Sequence, residues 1–375
     1  MSWTRRRPRA VSDHIATGAR PGRARSAKHP RLLAADSING HIAIYAGPAR
    51  TATCFRSQTE PDPDGRPWVA AMSSLACPLT SCGSRPGDTF LATVVRVLRR
   101  AVVLGGGGVT GVAWEVGLLL GLAEAGVDLG TADLLVGTSA GSVVAAQVAS
   151  GVPLEELFAR QVESASGEIA VSIGWTYALR LLWAGLLAGG NPERFRTRVG
   201  ALALAARTVP EADRRAVIAA RLPVHEWPDR PLLITAVDAT DGTFVVFDRK
   251  ASVPLVDAVA ASCAVPLVWP PVTVGSRRFV DGGMRSAANA DLASGFDRIV
   301  IIAPRARGGG PIPGARSQAD ALRAHGARVV LVTPNPDSVA AIGPNVLDAS
   351  QRAPSAHAGR EQAGPEAAVI SAAWL

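Results

Sequence analysis

What this 375-residue sequence lacks narrows what it can be. Near its start there is no apolar h-region of a secretory signal. Nowhere is there a charge-free stretch of about 20 apolar residues, which a spanning helix requires. The most apolar segment, Ile169 to Leu187, carries Arg180 in its middle and two glycines after it. We therefore expect a cytoplasmic protein whose membrane contact, if any, is peripheral. Cysteines number only 4: Cys54, Cys77 and Cys82 early, and Cys263 far away. Cys77 and Cys82 have no second pair and no histidine beside them, which is weak support for a metal site, and no disulfide framework is expected. No metal and no organic cofactor is called for. No repeat recurs at a fixed period, and nothing sets an oligomeric state.

Charge imbalance is also missing from most of the chain. The net charge is +8, but residues 1–98 hold 14 Lys+Arg against 6 Asp+Glu, and residues 99–375 hold 25 of each. The basic character belongs to the first segment and names no nucleic-acid partner for the rest. Residues 1–98, rich in Arg, Pro and Gly, read as a basic, disordered extension, with Met72 as one alternative start. Residues 99–348 read as the main domain. Residues 349–375 read as an Ala- and Arg-rich tail that frays after one helix.

From Arg99 the pattern changes. The buried strand "RRAVVL" runs into "GGGGVTG", Gly105 to Gly111, and then into an apolar-faced helix ending near Gly126. The strand "ADLLVGT" leads to Ser139 and a second buried helix closed by Gly151. Strand and helix alternate here at the spacing of a parallel sheet with crossover helices. Residues 154–221 read as helical. Strands return at "PLLITAVDA", "TFVVFD", "RFVDGG", "RIVIIAP" and "RVVLVTP". Within the helical stretch, the apolar run around Trp175 to Leu187 has two readings: a core helix or lid, or a surface that meets lipid at the interface.

Ser139 stands in Gly137-Thr138-Ser139-Ala140-Gly141, between a strand and a helix. A serine at so sharp a turn exposes its Oγ, and its neighbours at −2 and +2 must be nearly free of side chain. The helix that follows points its N-terminus at the site, where developing negative charge is favoured. An acyl-transfer serine also needs backbone N–H groups aimed at an oxyanion. The run Gly106, Gly107, Gly108, Val109 and Gly111 lies one strand–helix unit earlier, at the same carboxyl edge of the sheet. Gly106, Gly108 and Gly111 also spell G-x-G-x-x-G, the rival reading of a dinucleotide-binding oxidoreductase. That reading wants an acid at the end of the second strand, where Val136 and Gly137 stand instead. A phosphate-binding P-loop would need Lys-Ser/Thr after the glycines, and there is none.

The base is harder to choose. His14, His29 and His41 fall in the extension; His225 sits in a loop, His325 near a helix end, and His357 in the tail. His325 has the chain order of a Ser–Asp–His triad but stands before a strand rather than on the loop after one. Asp281 ends a strand, with Gly282 and Gly283 leaving room for close approach, so its carboxylate could take the proton of Ser139 directly. The bland reading is an Asp in a tight Asp-Gly turn.

The glycine run, the Gly-Thr-Ser-Ala-Gly elbow, Asp281-Gly282-Gly283 and the block "ASCAVPLVWPPV" together resemble the patatin-like phospholipases. The resemblance spans roughly Arg99 to Asn289 and extends over the remaining strands to about Thr333. It implies a three-layer α/β/α sandwich with a mainly parallel central sheet. It implies a Ser139–Asp281 dyad, an oxyanion hole in the glycine run, no cofactor, and a lipid ester as substrate. One departure is Thr110, where such proteins often carry Arg or Lys. The reading is thus a serine acyl hydrolase. A lipid-binding scaffold that kept the fold without the chemistry is the alternative.

Overall fold

A computed structural model describes residues 35–38, 41–45, 52–56, 98–163 and 175–375. The chain divides into two units, Met1–Val97 and Leu98–Leu375. In the first, strands β1 (Ala35–Ile38), β2 (His41–Tyr45) and β3 (Ala52–Arg56) pair antiparallel in sequence order. The sequence reading expected no regular structure here. The signals it passed over are the alternation of Ile42 and Ile44 with their neighbours and the turn-favouring pair Asn39-Gly40. Met72, Cys77, Cys82 and the rest of the expected extension lie outside the described residues.

The second unit is built on an eight-stranded sheet. In chain order its strands are β4 (Arg100–Leu104), β5 (Leu134–Gly137), β6 (Leu232–Asp238), β7 (Phe244–Phe247), β8 (Val272–Val274), β9 (Arg277–Asp281), β10 (Arg298–Ile302) and β11 (Arg328–Val332). Their spatial order is β11-β10-β4-β5-β6-β9-β8, with β7 paired to β6. The first five in that order run parallel; β7, β8 and β9 pair antiparallel. The strand sequences are apolar almost throughout because both faces are covered. Ala101, Val103, Val136, Ile299 and Ile301 pack toward helix α8 (Ala315–Ala324). Val102, Leu104, Leu135 and Val300 alternate with them and pack on the other face. There they meet α1 (Gly108–Glu124), α2 (Ala140–Ala149) and α10 (Arg352–Trp374). The result is the expected three-layer α/β/α sandwich with a mainly parallel sheet.

Five helices, α3 (Leu154–Val162), α4 (Trp175–Ala188), α5 (Pro192–Leu204), α6 (Glu211–Arg221) and α7 (Leu255–Ser262), lie in the connections around the site. Helix α9 (Pro336–Ile342) precedes α10. In α4, Ala184 and Ala188 pack against Phe195 and Val199 of α5. Leu182 and Trp183 are 58% and 56% exposed, with Leu186 and Leu187 beside them equally open, so this face is not core. The side chain of Trp175 and residues 164–174 lie outside the described residues. Among the described residues no helix is long and apolar enough to cross a membrane.

The tail expected to fray is instead structural. Helix α10 runs 23 residues and packs along α1. Its Ala- and Gly-rich composition is what a close helix crossing needs. A Cβ on Gly117 would lie 2.0 Å from the Ala356 carbonyl oxygen, and one on Gly359 would lie 2.3 Å from that of Trp114. Buried Trp114 donates its Nε1–H to Gln362 across the crossing at 3.2 Å.

Candidate functional site

Two strand ends meet on β6. Gly137, the last residue of β5, lies opposite Ile234, and Asp281, the last of β9, lies opposite Ala236, two residues further along. The register thus brings Ser139 and Asp281 to one place, although 142 positions separate them in the sequence. Ser139 has φ 53° and ψ −118°, a left-handed conformation that costs a non-glycine residue about 1–3 kcal/mol. The glycines around it are compelled by contact. A Cβ on Gly137 would stand 2.5 Å from Ser142 Cα, and one on Gly141 would stand 2.2 Å from the Leu104 carbonyl oxygen.

The strained turn is held from outside. The Ser139 N–H donates to Ser262 Oγ at 2.9 Å, at the end of α7. The Ser139 carbonyl accepts from Ser142 Oγ at 2.6 Å and from Cys263 Sγ at 3.2 Å. Behind the turn, fully buried Asn289 donates through Nδ2 to Thr138 Oγ1 (3.0 Å), Thr235 Oγ1 (3.3 Å) and the Gly282 carbonyl (3.2 Å). One amide therefore ties the elbow, β6 and the Asp-Gly-Gly turn together. Sequence reasoning gave Asn289 no role; its left-handed φ of 54° is visible only in the fold.

Asp281 is 3% exposed, and its carboxylate lies close enough to the Ser139 side chain for that hydroxyl to favour its charged form. Burial pushes the Asp281 carboxyl up to about 6; the Ser139 hydroxyl, the Gly283 N–H at 2.7 Å and the charge of Arg305 hold it from rising further. Gly282 is required by space, since a Cβ there would meet Thr235 Oγ1 at 2.3 Å. Tyr177, in the first turn of α4, is pushed up to about 12 by burial and by the nearby Asp281 charge. That end of α4 therefore lies within range of the Asp281 charge, while Leu182, Trp183, Leu186 and Leu187 look outward.

The glycine run lies alongside: a Cβ on Gly106 would touch Ser139 Cβ at 3.5 Å. Its amides are not equivalent. Gly106 N–H donates to the Ala287 carbonyl (3.0 Å), Thr110 N–H to that of Val346 (3.2 Å) and Gly111 N–H to that of Gly107 (2.9 Å). Among the described residues, the N–H groups of Gly107, Gly108 and Val109 have no such partner and form the open N-terminus of α1. The expectation that Gly106 and Gly111 donate to an oxyanion is corrected accordingly; they shape the loop. Gly108 has φ +65°, and a Cβ there would lie 2.4 Å from the Val346 carbonyl oxygen. Thr110, at the departure from the family pattern, is buried and bonds to Val346. The N-termini of α1 and α2 thus both face Ser139.

The other candidates lie elsewhere. His225 and His325 bond to the Ala219 and Ala321 carbonyls at the surface, and His357 packs edge-on against Phe158. Among the described residues none of them is hydrogen-bonded to Ser139 or Asp281. The dinucleotide reading finds no acid at the end of β5. Asp133 precedes that strand and binds the Arg100 N–H (2.7 Å), and Asp128 caps the Gly130 N–H (2.7 Å).

No curated protein sequence matches this chain. Among solved structures it is similar to the type III effector protein ExoU at 18% identity and a TM-score of 0.33, over 73% of this chain and 53% of that one. It is also similar to VipD from Legionella pneumophila at 11% identity and 0.36, over 93% and 72%. The chain thus spans about half the length of the first. The family model of the patatin-like phospholipases matches residues 102–294, just over half of the sequence and all of the elements that carry Ser139, Asp281 and the glycine run. This chain belongs to the patatin-like phospholipase family.

Proposed function

We propose that the protein is a serine acyl hydrolase that cleaves lipid carboxyl esters with a Ser139–Asp281 dyad. The Asp281 carboxylate takes the hydroxyl proton as Ser139 Oγ attacks the ester carbonyl carbon. The carbonyl oxygen becomes an oxyanion, and the open amides of Gly107, Gly108 and Val109 receive it. Collapse expels the alcohol, which leaves with the proton from Asp281, and an acyl-serine remains. Asp281 then takes a proton from water, whose oxygen attacks the acyl carbon. The fatty acid departs and the proton returns to Ser139 Oγ.

One observation carries this reading: beside the Ser139 side chain lies a buried carboxyl, that of Asp281, lifted to about 6. A base at that level is ionised at neutral pH yet accepts a proton more readily than an ordinary aspartate. The exposed apolar face of α4 supports peripheral contact with a lipid surface, with Tyr177 linking that helix to the site. A fluorophosphonate probe tests the chemistry. The protein should be labelled at Ser139, and Asp281→Asn should slow labelling strongly. Absence of labelling in the folded protein would instead favour a lipid-binding scaffold.

A further inference from the structure

Among the described residues, Ser139, Ser252, Leu267 and Asn289 are the non-glycine residues with a left-handed φ. Ser139 and Asn289 belong to the site above. A short polar side chain that bonds locally eases this conformation, and leucine has none. Leu267 nevertheless holds φ 68°. It stands in Val265-Pro266-Leu267-Val268, where the Val268 N–H donates to the Val265 carbonyl at 3.1 Å. Proline at the second position and a positive φ at the third are the layout of a type II turn, whose third position glycine fills without strain. Strain of this kind gathers at functional sites.

Core packing does not account for the leucine. Leu267 is half-buried, as are Val265 and Val268, and none of the three joins a hydrophobic cluster of the fold. The place of the turn does account for it. It leads from α7, whose Ser262 holds the Ser139 N–H, to β8. Val265, which opens the turn, and Trp269, which follows it, both line the cleft that Ser139, Gly108 and Val109 also line. Trp269 is fixed there: its backbone N–H bonds the Val265 carbonyl at 2.9 Å, and the Arg214 guanidinium lies 3.9 Å from its ring centroid. Val112 and Leu347 add apolar surface to the same lining. Leu267 thus stands at the bend between two residues of the cleft wall.

We propose that Leu267 is a specificity-determining residue: its side chain extends the apolar wall beside Ser139 and holds the acyl chain of the ester under attack, so that longer chains are favoured over short ones. The assignment rests on the hydrolase reading above and adds the part of the substrate that is measured. Each methylene that leaves water for such a wall changes kcat/KM by about fourfold. Glycine at this position would relax the turn and remove the wall, which is why a strained leucine is informative here.

The test uses the full chain and the p-nitrophenyl esters of butyrate, hexanoate and octanoate below their aggregation concentrations. In the wild type kcat/KM should climb with chain length. In Leu267→Gly the ratio of kcat/KM for octanoate over butyrate should fall about fivefold or more, chiefly through KM. Its Tm should hold or rise by about 2–4 °C as the turn relaxes. Leu267→Met, which keeps an apolar side chain, should restore most of the ratio. An unchanged ratio, or an equal loss at every length, overturns the assignment and leaves the hydrolase reading standing. A lower Tm in Leu267→Gly would mark the leucine as packing and overturn it too. No hydrolysis at any length would sink the hydrolase reading. Calorimetric binding of octanoate to Ser139→Ala, with and without Leu267→Gly, then decides the wall by itself: weaker binding without the leucine keeps it, and equal binding overturns it. Should Leu267→Gly be insoluble, Leu267→Asn, which also accepts a left-handed φ, carries the same comparison.

Discussion

Replacing Asp281 by Asn should abolish most turnover and, at the same time, stabilise the fold. The carboxyl stands at about 6 in place of 3.8, chiefly because it is buried. The native state therefore holds this proton more tightly than the unfolded chain does. Its contribution to stability is fully present below about pH 4 and is lost as pH rises through about 6. Above that, keeping the buried carboxylate ionised costs roughly 3 kcal/mol. Asn keeps the shape and has no charge to bury. It retains an oxygen for the Gly283 N–H, so most of that cost should return as stability. For a domain of this size the gain corresponds to about 6–12 °C in Tm at pH 8 and to nothing at pH 4. Turnover should drop by roughly 10²–10⁴-fold. Wild-type kcat/KM should rise about tenfold per pH unit below pH 6 and level off above it. Thermal melts of both proteins at pH 4 and 8, with a soluble ester assay across that range, read every arm. A variant no more stable than wild type at pH 8, or a flat wild-type profile from pH 5 to 8, would refute the reasoning.

Four further outcomes follow from the geometry. Folded His225→Ala, His325→Ala and His357→Ala should each keep most activity on a soluble ester; a collapse in His325→Ala would restore a triad. Changing Leu182 and Trp183 to Gln should lower activity on vesicles more than on soluble esters, and an equal loss with a lower Tm would mean the two side chains are core after all. Gly117→Val should destabilise the protein by about 1–3 kcal/mol or more in denaturant titrations, since its Cβ has no room beside Ala356. A chain starting at Phe90 should fold and hydrolyse ester as well as the full sequence; insolubility would show that the first unit packs on the second.

Where the sequence was legible, a local demand had left its mark on residue type. Gly108, Gly137 and Gly141 are glycines because a backbone atom stands where a Cβ would go, so the contact can be inferred from the letter. The strands declare themselves because both faces are buried. Other features depend on partners far along the chain. Helix α10 shows no apolar stripe, because small residues rather than large ones let it approach α1, and Gln362 meets Trp114 across 248 positions. Asn289 acts through Thr138, Thr235 and Gly282, which no local pattern joins. The glycine run could not reveal which amides were already engaged, since Ala287 and Val346 come from distant segments.

The crossing of α10 on α1 also sets a timetable. Helix α1 is buried on all sides from Val109 to Leu122, and much of that cover arrives 248 positions later. At 5–20 residues per second the ribosome needs about 12–50 s to make the intervening chain. For that interval an apolar rod stands uncovered, with the open amides of the glycine run at its tip. The nascent protein therefore has a window of exposure during which holding factors, or their absence, decide between folding and aggregation. The proposed site around Ser139 is therefore complete only when that window closes, since the Val346 carbonyl that binds the Thr110 N–H of the glycine loop lies in the late-made segment.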